Sequence, residues 1–230
     1  MHRDPTRRLI ITALREDIGP RDITTELTVS EAATCTAQLI AKQDGVLSGI
    51  EIFRAVFEEL HVDLKEWTSL ADGETFKLGQ EVATFAGPAR GILTGERTAL
   101  NFLQRLSGVA TLTRAFVDAV QGSQARIIDT RKTTPAFRAL QKAAVRHGGG
   151  TNHRNALYEG ILIKDNHSAA AGGIAQAIEK ARAGVHHLMK IEVEVTDLEE
   201  LEAAIKAKAD VILLDNMDTD PMRTAVSRGK

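Results

Sequence analysis

Four short apolar segments decide the fold, and each has a charged residue at or one position before its end: ARIIDT (residues 125–130), GILIKD (160–165), KIEVEV (190–195) and DVILLD (210–215). Between the last three lie stretches with apolar residues at helical spacing, one from about Gly173 and one from Asp197. Apolar strands that alternate with helices are typical of βαβ units and a parallel sheet. An α/β barrel and an open doubly wound sheet both satisfy this pattern.

The first hundred residues show a different pattern, a mixture of short strands with one helix. Alternating apolar residues predict strands in TAQLIAKQDG (36–45) and HVDLKEW (61–67), and a hairpin-like piece in FKLGQEVATFAGPA (76–89). Steps of four between apolar residues predict a helix in GIEIFRAVFEEL (49–60). Two further helices are predicted between residues 100 and 122, separated by a break at Ser107-Gly108. This half therefore resembles a small α+β layer.

Composition excludes several classes of protein. The 230 residues carry a formal net charge of −2, with 43% hydrophobic and 26% charged residues, as in ordinary globular domains. No apolar run approaches the length of a membrane span, and near-neutral charge argues against a dedicated nucleic-acid binder. Cys35 is the single cysteine, which excludes a disulfide framework within the chain and favours a reduced, cytoplasmic compartment.

The charged residues at the predicted strand ends indicate where function lies. In a barrel the carboxyl ends of the strands converge on the face that carries the active site, and in an open sheet they line a crevice. Carboxylates there suit Mg²⁺ beside substrate phosphates. They equally suit ribose hydroxyls or helix caps, and the pattern alone leaves all three open. The residues concerned are Asp129, Lys164, Asp165, Glu194 and Asp215.

The segment RKTTPAFRALQKAAVRHGGGTNHR (131–154) contains six Lys or Arg residues and no Asp or Glu. We interpret these charges as uncompensated and expect them to bind an anion, because guanidinium groups match carboxylates and phosphates. The glycines at 148–150 are expected to end a helix and to let backbone amides approach that anion. Phe137 is the only aromatic residue in the segment, so a small anion is favoured over nucleic acid.

Seven motifs in the expected order together resemble the quinolinate phosphoribosyltransferase family. They are EDIGPRDITTE (16–26), GPARGILTGERTALNFLQRLSGVAT (87–111), DTRKTTP (129–135), RHGGGTNHR (146–154), LIKDNH (162–167), EVEV (192–195) and ILLDNM (212–217). The resemblance implies an α/β fold in which an N-terminal α/β sandwich domain, residues 1–108, precedes an open α/β barrel, residues 109–230. Since the family continues beyond ILLDNM with further strands, we expect this barrel to be incomplete and C-terminally truncated.

The same resemblance implies a pentosyltransferase of NAD biosynthesis. Quinolinate and phosphoribosyl pyrophosphate would give nicotinate mononucleotide, pyrophosphate and CO₂, with Mg²⁺ as cofactor. Arg131, His153 and Arg154 would clamp the quinolinate carboxylates, beside Thr130. Lys132 and Lys164 would line the same pocket as catalytic residues, and Glu194 and Asp215 would hold ribose hydroxyls or Mg²⁺. Arg97 would reach into the neighbouring subunit's site of a homodimer.

Two other functions remain as alternatives. A related protein found with molybdate transporters shares the fold, although the RKTTP and IKDNH motifs favour the quinolinate enzyme. A non-catalytic, anion-binding or dimer-forming remnant of the family would bind quinolinate without converting it. Neither nucleic acid nor a membrane is expected as a partner.

Overall fold

A computed structural model describes residues 4–229, which form two compact units divided between His153 and Arg154. The ends of the two predicted domains, residues 1 and 230, lie outside the described residues. The helices of the first unit are α1 (Pro5–Ile18), α2 (Ile23–Thr28), α3 (Ile50–Glu59), α4 (Ala89–Ala119) and α5 (Arg138–His147). Its strands are β1 (Thr34–Ile40), β2 (Gly45–Val46), β3 (Lys65–Ser69), β4 (Thr75–Phe76) and β5 (Glu81–Pro88).

An antiparallel sheet in the order β1-β5-β3 forms the centre of the first unit, and β2 pairs with β4. Helix α3 packs its apolar side, which includes Phe53 and Phe57, into the core with Phe85 of β5. Its N-terminus is capped from a distance, because Asp72 Oδ1 accepts the amides of Gly49 and Ile50 at 2.7 and 3.0 Å. The helix predicted at 49–60 and the strand predicted at 36–45 are matched by α3 and β1. The strand predicted at 61–67 begins only at Lys65, and the hairpin predicted at 76–89 is wrong, because β4 pairs with β2 while β5 pairs with β1 and β3.

Helix α4 is continuous over 31 residues, so the predicted break at Ser107-Gly108 is wrong. The hydroxyl of Ser107 is buried and exchanges hydrogen bonds with the backbone of Ser48, at 3.1 and 3.3 Å, instead of capping a new helix. A Cβ at Gly108 would meet no neighbouring atom, so nothing at that position forces an interruption. Burial of Leu106 and Ala110 on either side keeps the apolar face unbroken. The predicted domain boundary between residues 108 and 109 falls within this helix.

The predicted strand at residues 125–130 is reduced to a single parallel bridge between Ile128 and Thr151. Ile128 alone is assigned to the bridge, through hydrogen bonds of Ile127 and Asp129 with Thr151 at 2.8 and 3.1 Å, and Ile128 is 56% exposed. A strand needs a ladder of neighbouring residues, and the described part of the chain supplies none here. We correct the prediction accordingly.

The second unit contains a parallel sheet in the order β6-β7-β8, with strands at Ile161–Ile163, Ile191–Val195 and Val211–Leu214. Its helices are α6 (Asp165–Ala171), α7 (Ile174–Gly184), α8 (Leu198–Lys206) and α9 (Thr219–Arg228). Central strand β7 has Ile191, Val193 and Val195 fully buried. The predicted class, an N-terminal sheet domain followed by an α/β domain, is confirmed.

No helix among residues 4–229 combines the length and the apolarity that crossing a bilayer requires.

Candidate active site

In the second unit, three of the predicted catalytic residues lie at the carboxyl ends of the three parallel strands. Lys164 directly follows β6, Glu194 is the fourth residue of β7, and Asp215 directly follows β8. The Asp215 amide donates to the Val195 carbonyl at 2.9 Å, which extends the β7–β8 pairing past the last strand residue. Because parallel strands end at the same edge of a sheet, the side chains at these ends share one face.

An ion pair joins two of these residues, with Lys164 Nζ donating to Glu194 Oε2 at 2.8 Å. This hydrogen bond raises the pKa of Lys164 above its ordinary value, and the negative charges of Glu194, Asp215 and Asp165 add to the effect. The side chain of Lys164 is 43% exposed and that of Glu194 only 10%. Lys164 is therefore an accessible, permanently charged ammonium at neutral pH, and it is unsuited to act as a base.

A cap on the next helix holds the backbone of Lys164 in place. The Lys164 amide donates to His167 Nδ1 at 3.0 Å, and the His167 amide donates back to the Lys164 carbonyl at 2.9 Å. A cavity of about 580 Å³ lies beside this turn, lined by Asp165, Ser168, Glu194 and Thr196 among others. Within the LIKDNH motif, His167 thus holds the backbone of Lys164 in place. The sequence alone does not assign this role to His167.

In the first unit, Thr130, Arg131 and Lys132 form a turn between the Ile128 bridge and α5. Thr130 Oγ1 accepts the Lys132 amide at 3.0 Å, and both side chains are exposed. The Nε atom of Arg131 is buried and meets no hydrogen-bond acceptor among the described residues. An unsatisfied buried donor is costly, so a bound anionic oxygen would relieve it.

Several basic side chains of residues 131–154 bind other groups of the protein, so fewer of them are available to an anion than the composition indicates. Lys142 is 1% exposed and pairs with Asp129 at 2.5 Å, while Arg146 donates to Asn152 Oδ1. Arg138 donates to the Thr133 hydroxyl at 3.1 Å. The interpretation of six uncompensated charges is therefore wrong for Lys142, because its partner lies just upstream of the segment.

The three consecutive glycines also have another role than the predicted one. Their amides donate to the carbonyls of Ala144, Arg146 and Val145 at the end of α5, at 2.9 to 3.0 Å, so these groups are not available to an anion. A Cβ at Gly148 would lie 2.6 Å from the Cβ of Thr113, and Gly149 has a φ of +92°. The glycines do end the helix, as predicted, and they bring this turn against α4.

The remaining predicted residues are placed as follows. Arg97 is exposed on α4 and His153 is half-buried at the end of the first unit. Arg154 begins the second unit and donates to the Gly160 carbonyl at 2.6 Å. The structure thus brings together Lys164, Glu194 and Asp215.

A serine, a histidine and an aspartate also meet in the first unit, without forming a nucleophilic site. Ser48 Oγ lies 2.9 Å from His147 Nδ1, and Asp72 Oδ2 lies 3.9 Å from the same nitrogen. A catalytic relay needs the serine and the carboxylate on opposite ring nitrogens. Ser48 is in addition 99% buried. This cluster therefore stabilises the start of α3.

Among residues 4–229, no three His, Cys, Asp or Glu side chains are arranged to hold a metal by themselves. Mg²⁺, however, is usually bound through one or two carboxylates together with water and substrate phosphates. Glu194 and Asp215 provide two carboxylates at adjacent strand ends. Their chemistry fits a magnesium ion that arrives with its phosphate ligand.

Comparison with known proteins places these residues in a family context. The model for "Quinolinate phosphoribosyl transferase, N-terminal domain" matches residues 22–107, and that for the C-terminal domain matches residues 109–230. The probable nicotinate-nucleotide pyrophosphorylase [carboxylating] of Bacillus subtilis is 44% identical over 94% of this chain and 75% of its own. The nicotinate-nucleotide pyrophosphorylase [carboxylating] of Mycobacterium leprae is 43% identical, over 98% of this chain and 80% of its own. The solved nicotinate-nucleotide pyrophosphorylase of Francisella tularensis superposes with a TM-score of 0.92 at 41% identity, covering 100% of this chain and 82% of that one.

Proposed function

The chain belongs to the quinolinate phosphoribosyltransferase family, and from that premise we propose that it converts quinolinate and phosphoribosyl pyrophosphate to nicotinate mononucleotide, pyrophosphate and CO₂. This is a step of NAD biosynthesis. The observation that carries the proposal is the ammonium of Lys164 held at 2.8 Å by Glu194, with Asp215 at the end of the adjacent strand. A permanent cation among carboxylates suits a reaction in which positive charge develops on the ribose and negative charge on the leaving pyrophosphate, and in which no strong base is needed.

The first chemical step is a displacement at the anomeric carbon of the ribose. The pyridine nitrogen of quinolinate forms the new C–N bond while the C–O bond to pyrophosphate breaks, and positive charge develops on the ribose. The carboxylates of Glu194 and Asp215 stabilise that charge and orient the ribose hydroxyls. Lys164 donates to the negative oxygens of the leaving pyrophosphate. For Lys132 we keep the catalytic role that the family resemblance implies. Bound Mg²⁺, held by Glu194, Asp215 and those oxygens, would supply further neutralisation of the leaving group.

The second step is loss of the carboxylate next to the ring nitrogen. The C–C bond breaks and its electron pair stays on the ring carbon, which the now cationic nitrogen stabilises, and a proton then replaces CO₂. The protein mainly has to hold the carboxylates in position. The buried Nε of Arg131 has no acceptor among the described residues, and this supports the assignment of Arg131 to the clamp. We assign His153, Arg154 and Thr130 to the same role.

We further propose that the enzyme is a cytoplasmic homodimer in which Arg97 serves the partner's site. Arg97 is exposed on α4, and Leu93, one turn earlier, is also exposed. Leu27 of α2, a helix that packs against α4, is 77% exposed. An exposed apolar surface beside an exposed arginine supports an interface with a second copy. The lone Cys35 supports a reducing compartment.

The direct test of activity is release of CO₂ from carboxyl-labelled quinolinate by the purified 230-residue chain. We expect release only when phosphoribosyl pyrophosphate and Mg²⁺ are both present. Binding of quinolinate without release would contradict the proposal and favour the non-catalytic remnant. The molybdate-transporter alternative is not favoured by the comparisons, and it predicts no quinolinate binding.

A mixing experiment tests the shared site. The variants Arg97→Ala and Lys164→Ala should each be strongly impaired alone, whereas a mixture that exchanges subunits should regain activity, because some dimers then contain one intact site. A mixture that stays inactive although subunits exchange would contradict the role of Arg97 in the partner's site.

A further inference from the structure

We propose that Lys142 is a positioning residue for quinolinate, and that it acts through the backbone of His153. The inference rests on the proposed function, since it concerns how the substrate clamp is held. Lys142 itself is 99% buried and does not reach the substrate. It belongs to the segment that sequence interpretation reads as anion-binding, yet it binds other parts of the protein.

The first observation is that Lys142 and Asp129 hold both backbone groups of His153. Lys142 Nζ donates to the His153 carbonyl at 2.8 Å and to Asp129 Oδ1 at 2.5 Å. The same Oδ1 accepts the His153 amide at 2.9 Å. The peptide units on both sides of the His153 Cα are thus held, which fixes the backbone from which the His153 side chain extends. The backbone position of His153 is therefore held by this ion pair.

The second observation is that the network joins the two segments that carry the clamp. Asn152 Nδ2 donates to Asp129 Oδ2 at 2.5 Å and to the Lys142 carbonyl at 2.9 Å. Asp129 comes directly before Thr130 and Arg131, whereas Asn152 comes directly before His153. The Lys142–Asp129 pair and Asn152 thus link the segment that carries Thr130 and Arg131 to the segment that carries His153.

The third observation is that almost no β-sheet pairing holds these two segments together. The two segments share a single bridge, Ile128 with Thr151, and the Asp129 amide donates to the Thr151 carbonyl at 3.1 Å. In a full strand pair the ladder would set their register. Here side-chain hydrogen bonds replace the ladder. Apolar residues can often replace a buried ion pair without loss of stability. Stability alone therefore does not explain why a charged pair is found at this position.

The experiment compares two ligands and two variants of the full chain. In Lys142→Met the affinity for quinolinate, measured by titration calorimetry well below the unfolding temperature, should fall by at least about tenfold, the order expected from misplacing a binding group. The affinity for phosphoribosyl pyrophosphate should fall by less, since the Lys142 ammonium binds Asp129 and His153 and does not contact Lys132 or Lys164 directly. The control Arg182→Met breaks a more exposed ion pair, Arg182 with Asp210 at 2.7 Å, beside the amino ends of the parallel strands, and should change neither affinity.

A double variant separates positioning from stability. Asp129→Asn combined with Lys142→Met leaves no buried charge unpaired, so it should recover most of the lost stability. The His153 carbonyl still lacks its donor, however, so quinolinate binding should stay weak. Recovery of quinolinate affinity together with stability, or equal loss of both ligands in Lys142→Met, would overturn the inference. Absence of quinolinate binding in the unsubstituted chain would overturn the proposed function as well.

Discussion

The molecule contains two lysine–carboxylate pairs of similar geometry in very different surroundings. The Lys142–Asp129 pair of the first unit has side-chain exposures of 2% and 8%, and the Lys164–Glu194 pair of the second unit has 43% and 10%. In the first pair both Asp129 oxygens accept additional hydrogen bonds, from the His153 amide and from Asn152. The second pair has one ammonium beside three carboxylates, since Asp165 and Asp215 also act on it.

This difference shows that the environment of an ion pair decides its role. A buried pair whose every oxygen is used can only hold protein segments together. In a pair with an exposed ammonium and an excess of carboxylates, both kinds of group remain able to bind a ligand that carries phosphates, hydroxyls or a metal. Four predictions test this contrast, beginning with the largest expected effect.

Breaking the buried pair should destabilise the protein most. Lys142→Met leaves the Asp129 carboxylate buried without its cation, which costs about 3–5 kcal/mol in comparable cases. The measurement is the free energy of unfolding in urea. The control is Lys77→Met, which removes a pair of similar length, 2.8 Å to Asp44, between exposed side chains. That variant should unfold almost like the parent, and equal losses in the two variants would contradict the contrast.

Breaking the open pair should instead affect turnover. Lys164→Ala should lower kcat by about 10²–10³, the usual effect of removing one electrostatic donor at a transition state. Because Lys164 is partly exposed, its pair should contribute at most about 1 kcal/mol to folding. Rate and unfolding are measured on the same preparation. A variant that is strongly destabilised but still turns over at the parental rate would reverse the roles assigned to the two pairs.

Helix α5, which carries Lys142, can be disturbed through the glycine turn that ends it. In Gly148→Ala the new Cβ would collide with the Ala110 carbonyl and lie 2.6 Å from Thr113 Cβ, so we expect a loss of about 1–3 kcal/mol. Gly108→Ala, in the middle of α4, meets open space and should stabilise the helix by about 0.5–1 kcal/mol. Thermal unfolding distinguishes the two. A destabilising effect of Gly108→Ala would mean that α4 is interrupted there after all.

The smallest effect concerns acid stability at the other end of the second unit's strands. The Ile191 amide, and then Arg182, hold the pKa of Asp210 below its ordinary value. A lowered folded-state pKa stabilises the protein above the unfolded value, about 3.9, and this contribution disappears as pH falls through the folded value. The stability difference between the parent and Asp210→Asn should therefore be full at pH 6 and shrink below pH 4. A difference that is constant over this range would show that protonation of Asp210 is not involved.

The sequence predicts the parallel strands well, because three apolar segments with helices between them leave few alternatives. It also indicates Lys164, Glu194 and Asp215 together, since strand ends meet whatever the details of packing. It misses the pairing of Lys142 with Asp129, which depends on how α5 folds back and which no local pattern records. The glycines at 148–150 mislead for a similar reason, because composition cannot distinguish a tight contact with α4 from an open cradle for an anion.

Helix α4 has a consequence for how this family is divided. The two family models meet between residues 107 and 109, near the middle of a rod about 46 Å long at 1.5 Å per residue. A fragment cut at this position would expose the buried faces of Leu106 and Ala110 and leave two half-helices without their neighbours. We therefore expect that the two parts matched by the family models do not fold separately, and that cutting the protein at that boundary yields insoluble halves.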